Sequence, residues 1–210
     1  MSNTPILLLG GGGHCRALID VIEQTSGFTV AGIIEAQPRN GQVLGYPILG
    51  TDADLPGLVQ KIPHCLISVG QVKQADLRMK LFELALKAGA QFPLVISPKA
   101  YVSAHAEIGE GTVIMHQAMV NVGVRIGQNC IINSQALIEH DAQIGHHCHI
   151  STGARINGDV RIGNGCLIGS GAVIKQGITL ADNVIIGAGA LILKDISRPG
   201  CYVEQGRLLA

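Results

Sequence analysis

The sequence predicts an α/β domain with a parallel sheet, followed by a parallel β-helix of hexapeptide repeats. Three observations predict it. From Val102 to Ile192 an aliphatic residue stands at every sixth position without a slip of register. Before residue 97 or so, strand-like and helix-like patterns alternate. Glycine supplies 28 of the 210 residues while aromatics are 3% and tryptophan is absent, a bias suited to closely spaced backbone turns rather than to a conventional mixed core. The division falls into residues 1–97 and 98–210, each long enough for a core of its own.

The first domain opens on an apolar strand, Ile6 to Leu9, then a glycine cluster, an amphipathic run from Cys15 to about Gln24 and a second strand from Val30 to Ile34. This is a βαβ beginning of Rossmann-like type. A further apolar stretch, Cys65 to Val69, precedes a helical pattern from about Gln74 to Ala88. There Leu77, Leu81, Leu84 and Leu86 are expected largely on one side, with Gly89 as the C-terminal stop. Gly10, Gly12 and Gly13 lie between strand and helix, where backbone N–H groups can approach a pyrophosphate. Cys15 stands where the full dinucleotide pattern wants glycine, which argues against a nicotinamide enzyme. The segment Ser68 to Gln71 follows another strand at its carboxyl end, the usual ligand crevice of an open parallel sheet.

In the second domain the sixteen period-six positions run Val102, Ile108, Ile114 and onward to Ile192. Four residues after each, the side chain is usually small, as at Ala106, Ala118, Ala136, Ala142, Ala154 and Ala172. One large and one small inward position per six residues is the signature of a parallel β-helix. No unit buries its own apolar residue, so units stack into a solenoid, three to a triangular coil and about five coils in all. Cys130, Cys148 and Cys166 fall 18 residues apart at the small inward position and are read as packing side chains.

Composition narrows the function. Lys plus Arg and Asp plus Glu are 15 each, so the formal charge is zero; no long-range field recruits nucleic acid or anionic lipid. Runs such as Ile6 to Leu9 are far short of the roughly 20 apolar residues that span a bilayer, so no membrane insertion is expected. The six cysteines include no CxxC pair and are read as reduced, the protein as cytoplasmic.

Two segments, GGGGHCRALID near the start and INSQALIEHDAQIGHHCHIS in the array, resemble the NeuD/PglD family, the sialic acid O-acetyltransferases and UDP-4-amino-sugar N-acetyltransferases. The resemblance covers nearly the whole chain. It implies a left-handed β-helix, a nucleotide-sugar held by the α/β domain, acetyl-CoA as cosubstrate between neighbouring subunits, an active homotrimer and no metal. It also assigns residues. His140, in IEHD, matches the catalytic histidine, with Asp141 as the preferred carboxylate partner and Glu139 as the other flanking acid. Imidazole titrates near neutral pH and suits removal of the proton from an attacking amine or hydroxyl. His149 falls where the family contacts the acetyl end of acetyl-CoA, and a ring N–H there can donate to the thioester carbonyl. Ser170 and Ala188, one coil apart, and Gly158 are the implied contacts of the CoA arm. On the sugar-nucleotide side the resemblance points to Gly12, Gly13 and His14 of the glycine element and to Glu35 at the end of the second strand. Ala36 there departs from the family's doubled acid. Ser68 and Gly70 join this set.

The reading that follows is direct acetyl transfer to a nucleotide-linked 4-amino-sugar, with a sialic acid or other sugar hydroxyl as the alternative acceptor. Two readings from other classes stay open: a non-catalytic sugar-nucleotide-binding trimer, and a zinc enzyme like the γ-class carbonic anhydrases built on the GHHCH tract. Which nucleotide, sugar and acyl chain are used, and which glycan receives the product, is not written in the sequence.

Overall fold

The computed structural model describes residues 3–37, 41–71, 74–203 and 207–208. The first domain runs β1 (Thr4–Leu9), α1 (Gly13–Gln24), β2 (Phe28–Ile34), β3 (Gln42–Val43), β4 (Tyr46–Gly50), α2 (Leu55–Val59), β5 (Cys65–Ile67) and α3 (Asp76–Lys87). The sheet order is β3-β4-β2-β1-β5. The last four strands pair in parallel, and β3 is an antiparallel edge hairpin with β4. Its two-residue turn places Leu44 and Gly45 at φ 48° and 87°, the geometry that matches strand twist in tight hairpins. β1 lies centrally with both faces covered, which is why Ile6 to Leu9 reads as an unbroken apolar run. Ile6 and Leu8 face the α1 side, Leu7 and Leu9 the α3 side.

α3 departs from the expected pattern. Its buried face is Arg78, Leu81, Phe82 and Ala85, whereas Leu77 and Leu86 are exposed. At 100° per residue the face centres between Ala85 and Arg78, and Leu77 and Leu86 fall about 90° to either side of it. An arginine takes the inward place that the leucine count had given to Leu77. Gly89, at φ 90°, ends the helix as expected.

In the solenoid all sixteen period-six residues are the inward member of a short rung, from Tyr101–Val102 to Leu191–Ile192. One further rung, Val95–Ile96, pairs with Val113–Ile114, so the solenoid begins slightly before residue 98. Rungs repeat every 18 residues and make three parallel faces. The first face carries Tyr101, Met119, Leu137, Arg155, Val173 and Leu191 outward. The second carries Glu107, Arg125, Gln143, Arg161 and Thr179, and the third Val95, Val113, Ile131, His149 and Leu167. Inside, Cys130, Cys148 and Cys166 are fully buried. Each thiol donates to a carbonyl of the next coil, Gly145 at 3.1 Å, Gly163 at 3.0 Å and Ala181 at 3.2 Å. Coils meet so closely that a Cβ on Gly127 would lie 2.7 Å from the carbonyl carbon of Gly145, which explains the glycine that often follows the aliphatic residue.

The α/β domain docks on the third face. Cys15, Leu18, Ile19 and Ile22 of α1 form one buried cluster with Val95, Val113, Met115 and Ile131, so these outward rung residues are apolar. A polar relay borders it: His116 Nε2 donates to Asp20 at 2.8 Å, and the Ser97 hydroxyl donates to His116 Nδ1 at 2.6 Å. The connectivity is that of a hydrolytic triad, but the Ser97 residue is 1% exposed. No substrate carbonyl reaches it, and the relay ties α1 to the solenoid.

Candidate active site

The corner after the rung Leu137–Ile138 separates the first face from the second and carries Glu139, His140 and Asp141. Asp141 takes φ 59°, a left-handed conformation that aspartate tolerates better than most residues. Its carboxylate thereby folds back, and His140 Nδ1–H donates to Asp141 Oδ2 at 2.9 Å. A carboxylate only accepts, so the proton resides on Nδ1 and Nε2 is the basic nitrogen. The hydrogen bond to Asp141, with the charges of Asp141, Asp159 and Glu139 behind it, raises the imidazole above the ordinary histidine pKa. Glu139 turns elsewhere, accepting from Asn121 Nδ2 at 2.9 Å.

One coil on, Gly158 lies directly against the ring. A Cβ there would be 2.6 Å from His140 Nε2 and 2.7 Å from Cε1, so the imidazole keeps its pose only over a bare Cα. The structure thus groups Gly158 with the histidine rather than with Ser170 and Ala188. Those two are exposed and stacked, Gly189 N–H donating to the Ser170 carbonyl at 2.8 Å, on the corner at the opposite edge of the first face. Between the two edges that face leaves large apolar side chains open to solvent, Tyr101 at 57%, Met119 at 42% and Leu191 at 40%.

His149 lies on the third face, buried under the α/β domain. Its Nδ1–H donates to the Gln71 carbonyl at 3.1 Å and Nε2 accepts from Asn133 Nδ2 at 3.1 Å. Both nitrogens are engaged within the chain, which leaves no ring N–H for the thioester donation expected from the sequence. Burial pushes its pKa down to about 4, with Arg78 adding to the fall. His14 is 6.5 Å away, ring to ring. Its Nε2 and the Gln71 Oε1 are shielded from solvent without a hydrogen-bond partner, and burial first, then Arg78 and His149, pushes its pKa down to about 3.

The residues expected from the sequence to hold a sugar-nucleotide separate into two groups. A cavity of 530 Å³ is lined by Gly11, Gly12, Arg16, Glu35, Gln42 and Val43, among others. Gly12 is the N-cap of α1 without a side-chain cap, so first-turn N–H groups stay free at its mouth. Glu35 accepts a hydrogen bond from Gly11 N–H. Gly11 and Arg16 were not singled out from the sequence, although both lie in the quoted GGGGHCR segment. Gly13 borders open space, while His14, Ser68 and Gly70 sit away from the cavity. Ser68 is fully buried and donates to the Gly10 carbonyl at 2.7 Å; Gly70 packs against the Cβ of His14.

The histidines of the GHHCH tract diverge. His146 Nδ1 accepts from Gln128 N–H and His147 Nδ1 from Asn129 Nδ2 at the second corner, away from His140. Among the described residues no three His, Cys, Asp or Glu side chains converge as metal ligands, and no helix is long and apolar enough to cross a membrane.

An α/β domain with its ligand crevice beside a glycine-rich helix start, carried on a hexapeptide β-helix, defines a hexapeptide-repeat acyltransferase. The PglD N-terminal domain model matches residues 5–83, and the bacterial transferase hexapeptide model (six repeats) matches 123–158 and 159–194. No curated protein sequence matches the chain. Among solved structures, PerB from Caulobacter crescentus, in complex with CoA and GDP-perosamine, is 30% identical with a TM-score of 0.92, covering 100% of this chain and 99% of that one. A mutant perosamine N-acetyltransferase from the same organism, with the same two ligands, is 29% identical with a TM-score of 0.93, covering 100% and 98%. The acetyltransferase domain of PglB from Neisseria gonorrhoeae, in complex with acetyl coenzyme A, is 32% identical with a TM-score of 0.86, covering 99% and 100%. The chain belongs to the NeuD/PglD family of sugar acetyltransferases, and it is an acetyltransferase.

Proposed function

We propose that the protein transfers acetyl from acetyl-CoA to the amine of a nucleotide-linked 4-amino-sugar, as a cytoplasmic homotrimer with its sites between subunits. The observation that carries the reading is the pose of His140: Nδ1–H anchored on Asp141, Nε2 free over Gly158. Nε2 takes the proton as the amine attacks the thioester carbonyl, and the imidazolium is stabilised by Asp141. The tetrahedral adduct then expels the CoA thiol, which takes up a proton. No covalent enzyme intermediate is needed. The relatives that hold CoA with GDP-perosamine, or acetyl coenzyme A, support this pairing of ligands.

The first face supports the trimer. His140 lies at one edge and Ser170 with Ala188 at the other, and the apolar side chains between them need cover. A head-to-tail contact that covers this face sets one edge beside the other edge of the next copy, and such contacts form a ring when the rotation closes, at 120° a trimer. The α/β domain is the nucleotide-sugar-binding unit on this reading, with Gly12 and Glu35 lining its cavity and Gly13 next to Gly12 at the start of α1.

The deciding experiment is CoA release from acetyl-CoA with a panel of UDP-, dTDP- and GDP-4-amino-sugars and free sialic acid. Turnover of one nucleotide amino-sugar is the expected outcome; turnover confined to sialic acid would move the acceptor to a hydroxyl, and none with any acceptor would refute the reading. Geometry gives a second test. Gly158→Ala places a methyl within van der Waals overlap of the imidazole, and Gly158 is not at positive φ, so the backbone accepts alanine while the ring must move. Displacements near 1 Å cost about 10²-fold in rate. A kcat lowered to that order with an unchanged melting temperature is expected; wild-type kcat would show that the ring pose is immaterial.

A further inference from the structure

Arg78 is fully buried on the first turn of α3 and forms no ion pair among the described residues. Its guanidinium works as a fork between the two domains. Nη1 donates to the carbonyls of Ile67 and Val69 at the carboxyl end of β5. Nη2 donates to Asn129 of the solenoid, to its carbonyl and its Oδ1, both at 2.9 Å. Asn129 is itself fully buried and held by His147 Nδ1, 2.9 Å from its Nδ2. A buried cation without a carboxylate is costly, and here carbonyl dipoles from two domains carry it.

The fork leads to the cavity by direct contacts. Val69 lies flush against Gly10, where a Cβ would meet Val69 Cγ2 at 2.3 Å. Ser68 bonds the Gly10 carbonyl. Gly11, the next residue, donates to Glu35 and lines the cavity. The height of Ile67 to Val69 therefore sets the height of the glycine loop, and Asn129 sets both relative to the solenoid.

We propose that Arg78 is a positioning residue that holds the glycine loop in register with the solenoid, so that a bound nucleotide-sugar presents its amine at the right distance from the acetyl-CoA surface. The proposal rests on the function argued above. Lysine, a point charge on a flexible stem, cannot serve both sets of acceptors. In Arg78→Lys the KM for the nucleotide amino-sugar is expected to rise about tenfold, while the KM for acetyl-CoA stays within twofold, because on the function argued above the CoA arm meets Ser170 and Ala188, on a solenoid corner that Arg78 does not touch. Asn129→Gly tests the same register from the other side: glycine accepts the φ of 53° at that position and removes the Oδ1 acceptor, so the same split is expected. Titration calorimetry with UDP and GDP on both variants supplies a readout besides activity, and the nucleotide that the wild type binds is expected to bind about tenfold more weakly. Equal changes in both KM values, or a fall in melting temperature with both KM values unchanged, would overturn the proposal with the function intact. A wild type without turnover on any nucleotide amino-sugar would remove the function, and this inference with it.

Discussion

His140→Ala is expected to lower kcat with the accepted nucleotide amino-sugar by 10²- to 10⁴-fold, the usual contribution of a positioned general base. The melting temperature should not change. The side chain is 46% exposed and its one hydrogen bond is to the neighbouring Asp141, so its removal leaves no cavity and no buried orphan. That combination separates this residue from the buried histidines of the chain, whose loss acts through stability. In the wild type, kcat/KM should rise with pH through a group whose pKa lies above the ordinary histidine value, because the bond to Asp141 favours the protonated ring and the base works only when neutral. Stopped-time thiol detection across pH 5.5 to 8.5 measures both effects. Turnover in the alanine variant within a few-fold of wild type would assign the proton to another group.

The solenoid was legible because stacking enforces its period: each coil must put an aliphatic residue over the one before, so no register slip is tolerated. Even the rung that escaped the sequence reading carries the signal, for Ile96 and Ala100 fit the large and small inward positions. The contact of Gly158 with His140 was legible in principle too, since 158 is 140 plus one coil of 18. The seam between the domains was not. Arg78 meets Asn129, and Gln71 meets His149, across 51 and 78 residues, and nothing in local pattern encodes which solenoid face an α/β domain will cover. Hydrophobic periodicity assigns arginine to solvent and leucine to the interior, and so inverted Arg78 and Leu77. His149 lies on the same seam: a histidine in a hexapeptide rung looks alike whether its ring faces a cofactor or the carbonyl of Gln71.

That buried seam makes the fold acid-sensitive above the range where carboxylates titrate. His149 and His14 have folded pKa values pushed down to about 4 and about 3. His147 is also lowered, by burial first and then by Arg78 and His146. Unfolded histidine titrates near 6.5, so as pH falls below that value the unfolded chain binds protons that the folded chain refuses. Stability is therefore fully present above about pH 6.5 and declines toward the folded pKa values, each such histidine adding a slope of about 1.4 kcal/mol per pH unit. His140, whose pKa is raised, acts in the opposite direction, but it is solvated at the surface. The urea midpoint should be flat from pH 8 to 7 and fall steadily from 6.5 to 5, before Asp and Glu begin to protonate. His149→Gln retains a donor for the Gln71 carbonyl but no titrating ring, and its slope in that window should be shallower by about 1.4 kcal/mol per pH unit. A midpoint independent of pH down to 5 would mean that the seam admits water and that these imidazoles charge as freely as in the unfolded chain.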